Sequence, residues 1–534
     1  MKILVVGSGT MGAGIAQSCV QSGYEVVLND IDMARLETAQ TNIVKFVRRG
    51  AEKGQFSIDE GEAAIRRLTI SADLEQAATD VDWVIEAIYE NTAAKQELLR
   101  RLEVACPNDT RFGSNTSGLS ISELATVLQR PSRLVGLHFF NPVPLMKLVE
   151  VVRGAATDVA VLEEAVGVVR QLNKTPIVCD DSPNFVVNRI NRPIYYEAQL
   201  LVSEGVTAQN IDKAMQLGAN FRLGPLATGD MSGLEIGLAV SENIFRELGD
   251  LRYRPTALVK MLVKANRLGR KTGRGFYHYP TGTTEPQPTQ PDIALPTAIL
   301  PRKLAVTGQN IEANRLRGKL QQAGFTIVAA SQIQEAEVVF VPPDDIQPYR
   351  SYFVKVTQAA RPNAVLAMME PLASVTEMGA LSKRAAFTVG YHCPISFLND
   401  KFYEVALGLD TDLQNAATLV AILNQQHYNY VVSPETPAGI VRREICCLVN
   451  EAAFCLQEGL ASVEDIDLAL TLGMNYGLGP FQYGDRLGLD IVLNTMEYLQ
   501  SETGDPRYRP APLLRRYVRA GRLGQEAGQG FYSL

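Results

Sequence analysis

Short apolar runs alternate with amphipathic stretches through the first 180 residues. KILVVG (2–7), YEVVLND (24–30), LTIS (68–71), DWVIEAI (82–88), TRFGSN (110–115), RLVGLHF (133–139), KLVEVV (147–152) and TPIVCD (175–180) have the length of strands. Runs this apolar suit strands covered on both faces, as in a parallel sheet. Helical spacing fills the gaps, up to about Gln21, over 92–105 and over 158–172. The alternation predicts a mostly parallel, doubly wound α/β domain of Rossmann type. Residues 32–66 keep helical spacing, broken at Gly50 and Gly54, which predicts a helical hairpin projecting from the sheet. After Ser182 the strand signal stops, and 185–204, 207–217, 232–247 and 255–265 predict an all-α domain. The Pro/Thr-rich stretch 280–301 predicts an extended linker.

The pattern is then written a second time. KILVVGSGTMGAGIAQSCVQSGYEVVLND (2–30) matches KLAVTGQNIEANRLRGKLQQAGFTIVAAS (303–331) in its apolar frame. GLHFFNPVPLMKLVEV (136–151) aligns without a gap on GYHCPISFLNDKFYEV (390–405), and RLGRKTGRGFY (267–277) on RLGQEAGQGFY (522–532). The numbering offset falls from 301 at the amino end to 254 further on, a shortening of forty-seven residues where the first copy carries its hairpin. Self-similarity of this kind predicts a duplicated architecture. The expected domains are 1–182, 183–279, the linker 280–301, a reduced Rossmann-like unit 302–433 and a second helical unit 434–534.

The copies differ where chemistry would be. Gly7-Ser8-Gly9-Thr10-Met11-Gly12 follows a strand, opens a helix and is closed by Asp30, which is the dinucleotide fingerprint. Gly7 allows the tight turn, Gly9 the approach of a pyrophosphate and Gly12 close helix–strand packing; Thr10 and Met11 complete the loop. Asp30 can accept bonds from both ribose hydroxyls and repels a 2′-phosphate, so NAD is expected rather than NADP. In the second copy Gly9, Gly12 and Asp30 become Asn310, Ala313 and Ser331, so no dinucleotide is expected there.

His138 ends a predicted strand at the carboxyl edge, and Glu150 lies on the next. An imidazole can take a hydroxyl proton near neutral pH, and a carboxylate behind it fixes the tautomer. His392 and Glu404 keep the same separation in the second copy, but without a cofactor loop they are expected to be structural or vestigial.

GSGTMG, AIYEN (87–91), SNTS (114–117), HFFNPVPLMKLVE (138–150), FVVNR (185–189), GPL (224–226) and KTGRGFY (271–277) occur in order. Together they resemble the L-3-hydroxyacyl-CoA dehydrogenase family over residues 1–279. The second half is similar to the extra domains of longer bacterial members, of the 3-hydroxybutyryl-CoA and phenylacetate-pathway 3-hydroxyadipyl-CoA dehydrogenase type. The resemblance implies NAD-dependent oxidation of an (S)-3-hydroxyacyl-CoA, or the reverse reduction. It implies His138 as general base, Glu150 as its partner, and Ser117 and Asn188 beside the reacting carbon and thioester. It also implies cofactor contacts from Glu90, Lys95, Ser117, Asn141 and Lys271, and packing of the hairpin along CoA, where Lys45, Arg48, Arg49 and Lys53 form a basic cluster.

Composition narrows the partners. A net charge of −7 disfavours general nucleic-acid binding. Seven cysteines with no C-x-x-C spacing suit reduced thiols in a cytosolic setting and no metal site. A strand beginning at Lys2 leaves no room for a signal peptide, and no apolar run is long enough to cross a bilayer. The two helical units are expected to pair within the chain, with further homo-oligomerisation open. Two other readings stand beside the dehydrogenase: an NAD-dependent enzyme for a free hydroxy or sugar acid, and a catalytically silent nucleotide-binding or structural protein.

Overall fold

The computed structural model describes residues 1–343 and 348–533. They form two compact units. The first comprises Met1–Ile190 with Arg246–Leu248 and Phe454–Gly479; the second comprises Asn191–Phe245, Gly249–Ala453 and Pro480–Leu534.

The first unit is built on eight strands: β1 (Lys2–Val6), β2 (Glu25–Asn29), β3 (Leu68–Ser71), β4 (Trp83–Glu86), β5 (Arg111–Ser114), β6 (Leu134–Phe139), β7 (Leu148–Arg153) and β8 (Thr175–Asp180). Their order is β3-β2-β1-β4-β5-β6-β7-β8, and every pairing is parallel except β6 with β7. The strand direction therefore reverses once, between the strands that carry His138 and Glu150. The hairpin consists of helices Met33–Glu52 and Ile58–Arg66. Asp32 caps the first through Ala34 and Arg35, and Ser57 and Glu60 form a capping box on the second. Leu36, Ala39, Ile43 and Val47 sit at helical spacing on one face and belong to the core of the sheet. The hairpin thus packs on the domain rather than projecting free. Nor does Gly50 break its helix. A Cβ at Gly50 would lie 2.9 Å from the Phe56 ring, so glycine makes room for the turn.

The second unit holds seven strands: β9 (Lys303–Val306), β10 (Thr326–Ile327), β11 (Val338–Val341), β12 (Val365–Met368), β13 (Thr388–His392), β14 (Phe402–Leu407) and β15 (Asn429–Pro434). Their order is β10-β9-β11-β12-β13-β14-β15, again with one antiparallel pair, β13 with β14. Among the described residues no strand stands as the counterpart of β3, which follows the hairpin in the first copy. Helix Ala208–Gly218 packs against β14 and β15 in this unit.

The helical repeats of the second unit meet through reciprocal pairs. Tyr508 Oη donates to Glu197 (2.8 Å), and Tyr253 Oη donates to Glu451. Arg254 pairs with Asp505 at 3.2 Å, and Arg509 with Asp250 at 3.1 Å. Each residue of one repeat touches the counterpart of its own partner in the other, which is how a twofold interface is made. Among the described residues the seven cysteines are free, and no helix is long and apolar enough to cross a membrane.

Candidate active site

The turn after β1 has the shape that phosphate binding needs. Gly7 takes φ +102°, and a Cβ there would come within 2.6 Å of the Ala87 carbonyl oxygen. A Cβ on Gly12 would lie 1.8 Å from the Gly7 oxygen, whereas one on Gly9 would meet nothing within 4 Å. Two glycines are therefore required by the fold, and Gly9 faces open space. It stands at the N-cap of helix Thr10–Gln21 without a side-chain cap, so the helix's first N–H groups are offered to a ligand. Thr10 is exposed and Met11 half-buried on that first turn.

Asp30 follows β2 and accepts from the Ser8 N–H and Ser8 hydroxyl, both at 2.8 Å. Burial pushes its carboxyl up, but the bonds from Ser8 and Asp32 and the charge of Arg35 outweigh it, and the group lies below its ordinary value. It is an anion at neutral pH. An open glycine, an uncapped helix and an ionised carboxylate at the strand end together fit NAD.

The counterpart loop after β9 is closed by its own side chains. Asn310 caps its helix by accepting from Ala313 N–H at 2.9 Å and donates to the Pro343 carbonyl at 2.8 Å. Arg317 donates to the carbonyls of Val306 and Gly308. Ser331 lies in a short turn of 3-10 helix beyond the two-residue β10, not at a strand end.

His138 and Glu150 are paired across the single antiparallel ladder. Directly opposed residues project from the same face, so this register brings the side chains together. His138 Nδ1 lies 2.5 Å from Glu150 Oε2. The other carboxylate oxygen accepts N–H bonds from Val186 (3.0 Å) and Val187 (2.8 Å). Both residues are buried, with the imidazole beside the rings of Phe140 and Phe185. Asn188 Nδ2 reaches the Ser117 carbonyl at 3.5 Å. Glu90 accepts from the Ser117 N–H (2.8 Å) and from Thr116 Oγ1 (2.6 Å). Asn141 is exposed on a loop held by Lys174, whose ammonium donates to the Val143 and Met146 carbonyls.

Three of the expected ligand contacts have protein partners. Lys95 is wholly buried and its contacts are internal: it binds Glu86 at 2.8 Å and lies 3.5 Å from Glu90. Its ammonium braces the turn that carries Glu90. Arg48 is paired with Glu62 at 2.8 Å, so the exposed basic stripe of the hairpin is Lys45, Arg49 and Lys53, at four-residue spacing. Lys271 belongs to the second unit, where it pairs with Glu235. Sequence reading also passed over Glu86 and Asn115. Glu86 accepts from Ser114 and Lys95 in the core, and Asn115 Oδ1 holds the Phe139 N–H at 2.9 Å beside His138. Their only signal was position, at the carboxyl ends of β4 and β5.

His392 and Glu404 are opposed in the same register, yet no dyad forms. Glu404 gives one oxygen to Ile440 N–H (2.8 Å) and the other to Val441 N–H (3.0 Å). Both His392 ring nitrogens are buried without a hydrogen bond. The reason lies one residue before those donors. A Cβ at Gly439 would fall 2.5 Å from Glu404 Oε2, so only glycine admits this carboxylate orientation. The first copy has Phe185 there, at φ 55°. With a side chain there, Glu150 takes both N–H groups on one oxygen and keeps the other for His138.

The separated pair predicts a linked pH effect. Burial and the charge of Arg442 hold His392 at about 4, against 6.5 ordinarily. Burial pushes Glu404 from 4.5 to about 7, over the opposing Val441 and Ile440 bonds and the Arg442 charge. Between pH 4 and 6.5 the unfolded chain holds a proton on His392 that the folded chain lacks, so this stability is present above 6.5 and lost towards 4. Glu404 works the other way: its contribution is present below 4.5 and lost as pH rises through 7. Over the shared window the two offset. In His392→Ala only the carboxyl term remains. The stability difference between wild type and variant should therefore grow in favour of wild type from pH 4.5 to 6.5, as read by unfolding midpoints. A pH-independent difference would show that His392 is not held neutral by the fold.

The sequence model of the 3-hydroxyacyl-CoA dehydrogenase NAD-binding domain matches residues 2–182. That of the C-terminal domain of the same enzymes matches twice, at 185–279 and 440–534. The chain belongs to the 3-hydroxyacyl-CoA dehydrogenase family. It is 32% identical over 517 residues to the 3-hydroxyadipyl-CoA dehydrogenase of Escherichia coli K12, covering 96% of each chain. It is 43% identical over 284 residues to a probable 3-hydroxybutyryl-CoA dehydrogenase of Bacillus subtilis, covering 53% of this chain and 99% of that one. Among solved structures, a 3-hydroxybutyryl-CoA dehydrogenase from E. coli K12 superposes with a TM-score of 0.80 at 28% identity, over 97% of this chain and 98% of that one. Membership makes this chain an NAD-dependent oxidoreductase of the 3-hydroxyacyl-CoA dehydrogenase family.

Proposed function

We propose that the first unit oxidises the C3 hydroxyl of (S)-3-hydroxyacyl-CoA thioesters to the 3-oxo form, or runs the reverse reduction, with His138 as general base. The reading is carried by one observation: His138 Nδ1 bonds Glu150 at 2.5 Å, at the carboxyl edge of the sheet that holds the glycine loop. Glu150 occupies Nδ1, which leaves Nε2 to take the hydroxyl proton. The carboxylate then stabilises the imidazolium. Two backbone N–H groups on the other oxygen keep the carboxylate from rotating. Ser117 and Asn188, brought together by the Ser117 carbonyl, orient the substrate near C3 and the thioester. Gly7, Gly9, Gly12 and Asp30 hold NAD, with Glu90 and Asn141 bordering its nicotinamide end; when bound, NAD⁺ supplies the hydride acceptor. Lys45, Arg49 and Lys53 meet the phosphates of CoA.

The second unit acts as a scaffold. Its helical repeats form an intrachain pseudo-dimer, a reading that the reciprocal tyrosine–glutamate and arginine–aspartate pairs support. Seven free cysteines, five of them buried, suit the cytoplasm, where we place the enzyme.

Initial rates of NADH formation across short, long and dicarboxylic 3-hydroxyacyl-CoAs test the reading, with free hydroxy acids as controls. Thioesters should be turned over with NAD⁺ at least roughly tenfold better than with NADP⁺, because Asp30 repels a 2′-phosphate. Turnover of the free acids alone would move the enzyme to another substrate class. Silence with every compound would leave a binding protein.

A further inference from the structure

The first unit is not made of the first copy alone. It includes Phe454–Gly479, from the second helical repeat. Helix Val463–Met474 of that segment packs on β7 and β8 and on the short helix Val187–Ile190. A Cβ at Gly473 would lie 3.0 Å from Leu148 and 3.1 Å from Val187. Leu148 is two residues from Glu150 and shares its face of the strand. Val187 supplies one of the two N–H groups that hold Glu150. Nearby, the buried Arg189 guanidinium pairs with Glu458 at 2.5 Å and donates to Ser182 Oγ at 3.0 Å. The Asp180 N–H donates to the Leu460 carbonyl at 2.9 Å. Residues 180–190, which carry both N–H donors and Asn188, are therefore held at each end by the C-terminal half.

We infer that Glu458, acting through Arg189, is a positioning residue for the His138–Glu150 dyad, so that the half without its own cofactor loop or dyad completes the active site of the other. The inference rests on the proposed role of the dyad. Its chain of contacts is short: Glu458 to Arg189, Arg189 to Ser182, and the Ser182–Ile190 segment to Glu150 through Val186 and Val187. The 2.5 Å dyad bond depends on Glu150 keeping one oxygen for the imidazole. The second unit shows what happens when that orientation is lost, since Glu404 turns both oxygens onto the backbone. A purely structural role is the rival. The counterpart pair Arg443–Glu204, at 2.8 Å, is present in the second unit although no dyad forms there.

The test uses the full chain with Glu458→Ala, Glu458→Gln and Gly473→Ala. Glu458 is 41% exposed but Arg189 only 2%, so removing Glu458 takes the carboxylate from a buried guanidinium, and the melting temperature is read to separate that cost from a loss of positioning. Three quantities are read: kcat against KM for NAD⁺, the melting temperature, and the exchange rate of the His138 Nδ1 proton by NMR of histidine-labelled protein. Only four histidines are present, so the ring signals can be assigned. Glu458→Ala should lower kcat at least tenfold with KM for NAD⁺ within twofold, and speed the ring-proton exchange at least tenfold. Glu458→Gln keeps an acceptor of the same length and should recover most of both. Gly473→Ala, which presses on Leu148 and Val187, should shift exchange and kcat in the same direction. Unchanged kcat and exchange in Glu458→Ala would refute the inference, as would a loss that follows melting temperature alone and is equal in both Glu458 variants. The exchange arm needs no substrate. It judges the inference even if no thioester is turned over, an outcome that would sink the proposed reaction instead.

Discussion

His138→Ala is expected to lower kcat/KM by roughly 10²–10⁴-fold, the range that a positioned general base supplies. His392→Ala should leave it within about twofold, because that imidazole contributes no proton transfer. The pair is informative because the two histidines look alike by every local measure. Each is one of the last two residues of a buried strand, each faces a glutamate across an antiparallel ladder, and each is less than a tenth exposed. They differ in their hydrogen bonds. His138 has Glu150 at Nδ1, while His392 has neither nitrogen engaged. The first is prepared to accept charge, whereas the second is held neutral by burial and Arg442. Rates measured at saturating NAD⁺ separate loss of the base from loss of cofactor. Comparable damage from the two substitutions would move catalysis away from β6. Loss confined to His392→Ala would transfer it to the second sheet.

Much of this was legible in the chain. Eight strands of the first sheet follow from apolar runs bounded by glycine and polar residues, and the glycine loop follows from its place between strand and helix. The duplication itself separated fold from chemistry, since Gly9 and Asp30 are replaced in a frame that otherwise persists. Other features had no local signature. Arg48 looks like a free cation in sequence, but a helical hairpin returns Glu62 to its side. Lys95 shows no internal partner in sequence, but helix Thr92–Ala105 carries it into the core beside Glu86. The failure of the second dyad could not be read from the spacing of His392 and Glu404, which is unchanged. It follows from Gly439, thirty-five residues after Glu404, where a missing Cβ lets the carboxylate turn. Pairing of the helical repeats was expected from duplication. The packing of Val463–Met474 on β7 was not, because a contact across some three hundred residues leaves no periodicity behind.

Arg443→Met should be the most destabilising single substitution of the second unit's polar core, at roughly 3–5 kcal/mol, because it strands a buried charge. Arg443 and Glu197 are 1% and 0% exposed and pair at 2.7 Å. Tyr508 Oη donates to the same carboxylate oxygen at 2.8 Å and accepts from Arg443 at 2.7 Å. Methionine fills much of the volume but leaves Glu197 with one phenol and no cation. The attraction between the partners was never the main gain, since both had to leave water. The loss is the uncompensated carboxylate. Adding Glu197→Leu should therefore restore most of the stability in the calorimetric transition of this unit. Equal damage in the single and double variants would assign the loss to packing instead. The counterpart change in the first unit is the control. Glu458, the partner of Arg189, is 41% exposed. Arg189→Met leaves that carboxylate in water and should cost far less, on the order of 1 kcal/mol. Two arginines occupying the same place in the duplication should thus differ several-fold in what their loss costs, because solvent reaches Glu458 beside Arg189 and does not reach Glu197 beside Arg443.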